Sequence, residues 1–246
     1  STRNMLCHKH NIGFIHIPKC AGSTIEHWME TALDADGYER NPERNVPFRV
    51  REGRFGDAMN LHPNYFWFTF VRSPFSRFVS LWHHSNRGTN DYFRRPEIKS
   101  PHEYMEILMA GREDRMSGFD RLHHKPQSLY LPQEDLRIFD VEVRKPLDFI
   151  GRVECFDEDY RSLCNKIGHE PQAIKKKRDG KYSNWQSFID RDLYAMISDF
   201  YRDDIALLTR LFPQNYAAEA ASYEAFVDIH ARQAAAPDPQ AASHRL

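Results

Sequence analysis

Three short apolar runs, each followed by a segment with helical spacing, dominate the hydrophobic pattern of the chain. Tyr65-Phe-Trp-Phe-Thr-Phe-Val71 is almost continuously apolar. That suits a central strand of a parallel sheet, which helices cover on both faces. Gly13-Phe-Ile-His-Ile17 and Leu147-Asp-Phe-Ile-Gly151 read as two further strands. From Gly22, the residues Ile25, Trp28, Met29, Ala32 and Leu33 recur at i, i+3, i+4, i+7 and i+8, the spacing of one helix face. Ser73-Pro74 offers an N-cap with proline at the first helical position, and a helix is expected from there to about Ser85. Its Phe75, Phe78, Val79 and Trp82 face the core. Helices are also expected over Phe156–Ile167 and, as one long element, over Asp190–Leu211. On that long helix Leu193, Ile197, Phe200, Leu207, Leu208 and Leu211 form the apolar side.

The polar stretches between these elements read differently. Residues 34–60 are expected to be a long surface loop with little regular structure. Residues 86–135 mix loop with short helices around Tyr104–Ala110, Lys175–Lys181 is a basic loop, and the Ala/Pro/Gln-rich end reads as a disordered tail. Strand–helix alternation with apolar strands predicts a three-layer α/β domain with a central parallel sheet flanked by helices, over residues 1–230, with 231–246 as the tail.

Composition narrows the function. The chain has 246 residues, with 34 Lys+Arg against 35 Asp+Glu, so its formal net charge is −1 and bulk nucleic-acid binding is not expected. At 41% hydrophobic and 28% charged residues it is neither disordered nor fibrous. No apolar run approaches the roughly 18–20 residues of a membrane span. The start, Ser1-Thr2-Arg3-Asn4-Met5, does not resemble a signal peptide, so a cytoplasmic protein with reduced thiols is the expectation. The four cysteines form no CxxC pair or zinc-ribbon spacing. Adjacent histidines such as His83 and His84 point in different directions, so no metal site is expected.

Two segments carry the residue types that hold phosphate. In Ile15-His-Ile-Pro-Lys-Cys-Ala-Gly-Ser-Thr24, a small-residue turn lies between a strand and a helix, where backbone N–H groups and the helix N-terminus converge on an anion. Lys19 adds a mobile charge. The nucleotide-hydrolysing P-loop, GxxxxGK[ST], is not matched: the lysine precedes the glycine and the first glycine is missing. From these residues alone, a tight strand–helix turn with an incidental lysine remains an alternative. In Phe70-Val-Arg-Ser-Pro-Phe-Ser-Arg-Phe-Val-Ser80, Arg72 sits at the carboxyl end of the apolar strand, where α/β sheets bind ligands. Arg77, Ser80 and His84 share a helical face opposite the apolar stripe. A capped helix with surface ion pairs is the alternative here.

Together the two segments resemble the sulfotransferase family that uses 3′-phosphoadenosine 5′-phosphosulfate (PAPS), in particular Golgi-type carbohydrate sulfotransferases and their bacterial relatives. Phe14-Ile-His-Ile-Pro-Lys-Cys-Ala-Gly-Ser-Thr24 is similar to that family's 5′-phosphosulfate loop, and Phe68–Ser80 to its 3′-phosphate element, with Ser73 in place of the usual acid. Order and separation, about fifty residues, also match. Phe149-Ile-Gly-Arg-Val-Glu154 resembles a third, weaker family segment. The resemblance implies a P-loop-like fold and sulfuryl transfer to a hydroxyl, with adenosine 3′,5′-bisphosphate (PAP) as product and no metal. It implies that Lys19, Cys20, Ala21, Gly22, Ser23 and Thr24 hold the 5′-phosphosulfate and that Arg72 and Ser80 hold the 3′-phosphate. Lys181, in the basic loop, would fold over the nucleotide; a solvated, mobile loop is the alternative.

A base must take the acceptor proton, and histidine titrates in the right range. His62, just before the central strand, is the first candidate, as relatives often place a histidine upstream of that strand. His84, His83 and Glu26 are reserves, and His16 reads as a packed strand residue. The acceptor is expected to be a glycan, glycolipid or small metabolite. Arg-rich segments 40–54 and 87–95, with Tyr92, Phe93 and Tyr104, are candidates to line an acidic-glycan cleft, although a solvated charged surface is the plainer reading. A P-loop kinase or a non-catalytic nucleotide-binding module are the competing classes.

Overall fold

The computed structural model describes residues 5–33, 40–41, 46–47, 55–85, 98–116, 123–174 and 184–235. Most of the Arg-rich segments, the basic loop with Lys181 and the end of the chain from residue 236 lie outside them.

The central sheet has four strands: β1 Met5–Cys7, β2 Ile12–Phe14, β5 Phe66–Val71 and β8 Phe149–Arg152, in the order β1-β2-β5-β8. The three inner pairings run β1 antiparallel to β2, then β2, β5 and β8 parallel. Two small antiparallel pairs, β3 Arg40–Asn41 with β4 Val46–Pro47 and β6 Arg137–Ile138 with β7 Val141–Glu142, lie outside this sheet. As expected, β5 is central and buried on both faces. Side chains alternate across a strand. Phe68 and Phe70 therefore pack with α1 (Gly22–Ala32) and α5 (Phe156–Ile167), through Ile25, Trp28, Met29, Phe156 and Leu163. Trp67 and Val71 pack on the other side with α2 (Phe55–Leu61), α7 (Arg202–Leu211) and α8 (Pro213–Ala221). The result is a mixed α/β fold with a parallel-dominated sheet flanked by helices. A third apolar cluster joins α3 (Pro74–Ser85), α4 (Pro101–Met109), α6 (Arg191–Phe200) and α9 (Tyr223–Ala235). No helix among the described residues is long and apolar enough to cross a membrane.

Expectations about four elements and one side chain need correction. Residues 55–61 are a helix within the stretch expected to be loop; buried Phe55, Ala58 and Met59 sit at i, i+3 and i+4, a three-residue stripe masked by its charged flank. The first strand ends at Phe14, and Ile15–Ile17 continue as extended chain without sheet pairing of their own, although Ile15 N–H still donates to Phe68 O at 3.0 Å. The long helix over Asp190–Leu211 breaks at Tyr201 (φ −101°, ψ 26°) into α6 and α7. The break aims Tyr201 and Asp204 at the segment 124–128: the Tyr201 hydroxyl donates to His124 O at 2.7 Å, and the Asp204 carboxylate accepts Gln127 N–H and Ser128 N–H at 2.8 Å each. Lastly, α9 extends to Ala235, into the segment expected to be tail.

The most consequential correction concerns Arg77. Placed by periodicity on a polar face, it is only 3% exposed. Its guanidinium donates to three backbone carbonyls, Pro18 at 2.9 Å, Lys125 at 2.9 Å and His123 at 3.1 Å. One side chain from α3 thereby fixes the turn after β2 and the segment before Gln127. A lysine has no planar fork and cannot reach all three acceptors. Arg77→Lys is expected to lose about 2–4 kcal/mol of stability, since buried carbonyls are left unpaired. In a chain of this size each kcal/mol lowers the melting midpoint by about 2–4 °C. A calorimetric midpoint equal to wild type would show that these three bonds add nothing net.

Candidate active site

Because β2 and β5 are parallel neighbours, the chain leaves both at the same edge of the sheet. The turn after β2 and the start of α3 after β5 therefore meet there. Lys19 (φ 68°) and Ala21 (φ 60°) both adopt the left-handed conformation without being glycine. Such a conformation costs about 1–2 kcal/mol per residue, so the surroundings must hold the turn in place. Cys20 N–H donates to Ile17 O at 3.2 Å within it. Ala21 is the N-cap of α1 and gives no side-chain cap, and the first helical turn has no acid. The first helix-forming bonds run from Thr24 and Ile25 N–H to Ala21 O. The N–H groups of Ala21, Gly22 and Ser23 thus precede the helix ladder, an arrangement with donors and dipole directed at an anion.

Gly22 is required by close packing. A Cβ there would lie 2.1 Å from His16 Nε2. The His16 ring is held over the glycine by Glu26, whose Oε1 is 2.7 Å from His16 Nδ1, and by Phe14, which stacks on it at 5.9 Å. Both side chains of the His16–Glu26 pair are 14% exposed.

Arg72 faces this turn from the end of β5. Its Nη1 donates to Lys19 O at 3.2 Å and its Nε to Ser76 Oγ at 2.9 Å. Nη2 meets no acceptor among the described residues. Glu154, just beyond β8, completes the wall. Its carboxylate accepts Ser73 N–H at 2.7 Å and the Tyr216 hydroxyl at 2.7 Å. Glu154 keeps contact with solvent, yet the surrounding atoms desolvate its carboxylate and raise its pKa, against the pull of the Ser73 and Tyr216 hydrogen bonds. Desolvation likewise lowers the Arg72 pKa, with the Glu154 charge opposing it. Desolvation and then the Glu154 carboxylate raise the Tyr216 pKa, so that hydroxyl stays a donor.

The sequence-based site residues divide on this geometry. Lys19, Ala21, Gly22, Ser23 and Arg72 come together, with Lys19 and Arg72 half-buried and Ser23 exposed. Thr24 is 7% exposed and turned inward. Cys20 faces the core: burial pushes its thiol pKa up to about 12, and the thiol donates to Gln127 Oε1 at 3.3 Å. With its N–H also engaged, Cys20 serves the turn rather than a ligand. Ser76, one helical turn before Ser80, is the serine that touches Arg72, and Ser80 follows it along the same face. Ser73 does not cap α3 with its side chain; its hydroxyl is buried without a partner among the described residues. Lys181 lies outside the described residues.

His62 is not part of the site. Its ring stacks on Tyr65 at 4.7 Å and meets His8, in the β1–β2 turn, at 5.4 Å. Those residues precede β2 and β5, at the opposite end of the sheet. The six residues of β5 put about 20 Å between that end and Arg72. His83 and His84 lie at the far end of α3, a helix of 12 residues and about 18 Å. Glu26, one turn from Gly22, is the reserve that borders the phosphate-type turn. Sequence reasoning missed Ser76, Gln127 and Asp204. An acid three and four residues from Tyr201, Leu207 and Leu208 was a readable sign that Asp204 is buried with partners; Gln127 and Ser76 carry no such periodic mark. Among the described residues no group of three or more His, Cys, Asp or Glu is placed to hold a metal ion.

A model of the sulfotransferase family matches residues 2–209, most of the chain and all of this site. The chain belongs to the sulfotransferase family. A sulfotransferase from Alicyclobacillus acidocaldarius aligns with a TM-score of 0.43 at 18% identity, over 66% of this chain and 60% of that one. The chain thus spans about three-fifths of that sulfotransferase's length. Comparison with curated proteins returned no match.

Gly22→Ala should push the His16 ring off its place and lower stability by about 1–3 kcal/mol, the range for overpacking. In a His16→Ala background the same change should be tolerated, with a coupling of at least about 0.5 kcal/mol in a double-mutant cycle. Additive effects would show that the ring and the glycine do not depend on each other.

Proposed function

We propose that this sulfotransferase moves a sulfuryl group from PAPS to the hydroxyl of a glycan, glycolipid or small metabolite. The observation that carries the reading is the bond from Arg72 Nη1 to Lys19 O, which unites two anion-holding elements 53 residues apart in sequence. The residues suit such a donor: N–H groups at the start of α1 with no acceptor among the described residues for one anionic end and the Arg72 guanidinium for another. When bound, PAPS supplies the sulfuryl group and a stable leaving nucleotide. Lys19 and the Ala21–Ser23 N–H groups would neutralise charge at the 5′ end, and Arg72, with Ser76 and Ser80 along the same face, would hold the 3′-phosphate. Glu26, oriented by His16, is the base we assign to the acceptor proton, in place of His62.

Two experiments test this. Calorimetry should show PAP binding without added metal. PAP at 100-fold above Kd should add about 2.7 kcal/mol of stability. Arg72→Ala should weaken PAP by about 1.5–3 kcal/mol, roughly 10- to 150-fold, and Ser80→Ala by less. Neither should much alter 5′-AMP, which lacks the 3′-phosphate. Equal losses for both ligands would refute the 3′ assignment, and a preference for ATP–magnesium over PAP would refute the reading as a whole.

The second experiment measures sulfate transfer across an acceptor panel. Glu26→Gln should lower turnover by about 10²–10⁴-fold with PAP affinity retained. His62→Ala, if folded, should keep near-wild-type turnover. The reverse pattern would return the base to the other end of the sheet.

A further inference from the structure

We propose that Gln127 is a positioning residue that fixes the span between the turn after β2 and the start of α3, and thereby makes the site selective for a nucleotide carrying both a 5′- and a 3′-phosphate. The inference rests on the PAPS reading above and adds the residue that enforces it.

Gln127 is 0% exposed and opens a 3₁₀ turn, Gln127–Tyr130, beneath the site. Its Oε1 accepts Arg72 N–H at 2.9 Å and the Cys20 thiol at 3.3 Å, and its Nε2 donates to Arg72 O at 2.7 Å. The side-chain amide therefore pairs with both peptide groups of Arg72, as a neighbouring strand would, while holding Cys20 of the other element. A side-chain amide presents a donor and an acceptor side by side, whatever the pH. A carboxylate would set an oxygen against Arg72 O, and a thioether would leave both peptide groups unpaired. Gln127 is itself anchored, since its N–H and that of Ser128 donate to buried Asp204 at 2.8 Å each.

The two elements have two other links, from Arg77 Nε to Pro18 O and from Arg72 Nη1 to Lys19 O. The first reaches the turn before Lys19 and Cys20 and leaves Arg72 itself ungripped; the second uses the guanidinium assigned to the 3′-phosphate, so engaging the ligand competes with it. Gln127 grips Arg72 by its main chain and Cys20 by its sulfur, groups that need not move when a ligand enters. Hence Gln127 touches no substrate and keeps the span while the guanidinium reorients.

The test is the ratio of Kd for 5′-AMP to Kd for PAP, measured by calorimetry on wild type, Gln127→Met and Gln127→Glu. A purely structural role would weaken both ligands alike, or change only the melting midpoint. The proposal expects the ratio to fall at least tenfold in Gln127→Met, with the 5′-AMP affinity within threefold of wild type. It expects at least a threefold fall in Gln127→Glu, which keeps the acceptor and lacks the donor. Smaller falls, or parallel losses for both ligands, overturn it. If Gln127→Met does not fold, Gln127→Glu decides; if neither folds, Gln127 serves the fold and the proposal fails. No PAP preference in the unmutated protein would instead remove the PAPS reading itself, and this inference with it.

Discussion

The site depends on one buried cation. Arg77 sits inside the protein with its guanidinium satisfied by the carbonyls of Pro18, His123 and Lys125. A charge of this kind is tolerated only when its donors find acceptors, because desolvation otherwise dominates. The carbonyls of Pro18 and Lys125 need it equally, since they belong to irregular chain with no ladder to join. Mutual need makes the arrangement selective: the turn after β2, the start of α3 and the approach to Gln127 are compatible with burial of Arg77 in one relative placement. The strained backbone at Lys19 and Ala21 is held against its own preference by this grip and by the Ile17–Cys20 turn.

A second shared group extends the same logic. Asp204 reaches from α7 to the two N–H groups that begin the 3₁₀ turn, and Glu154 reaches from the end of β8 to the N–H of Ser73. In each case a carboxylate from one element completes the irregular backbone of another. The sheet supplies the direction in which the chain emerges, and polar side chains supply the distances. That division explains why the elements meet closely while each loop remains free of regular structure.

Much of this was legible in the sequence. The apolar run of β5, the stripes of α1 and α3, the helix α5 and the strand–helix turn at Lys19–Thr24 follow from periodicity and local chemistry, and the structure agrees on each. What failed did so for identifiable reasons. Arg77 was assigned to a polar face because periodicity reports only residue type, and a buried arginine with carbonyl partners looks polar. α2 was hidden because three apolar residues in seven make a weak stripe. The break at Tyr201 is invisible to a pattern in which Leu193, Ile197, Leu207 and Leu208 continue in phase. His62 is near the central strand in sequence, yet it precedes that strand, and in a parallel arrangement the residues before a strand lie a full strand length from those that follow it, Arg72 among them.

The chemistry of Cys20 has a consequence for redox behaviour. A cysteine beside a lysine in a glycine-containing turn would ordinarily be suspected of reactivity, since neighbouring cations favour the thiolate, which is the form that alkylates and oxidises. Here burial outweighs the nearby arginines and the thiol remains protonated. Its sulfur is spent on Gln127 behind the turn. The turn after β2 is therefore insulated from the oxidation state of its surroundings, and thiol-directed reagents would find no purchase at Cys20 as long as the protein stays folded.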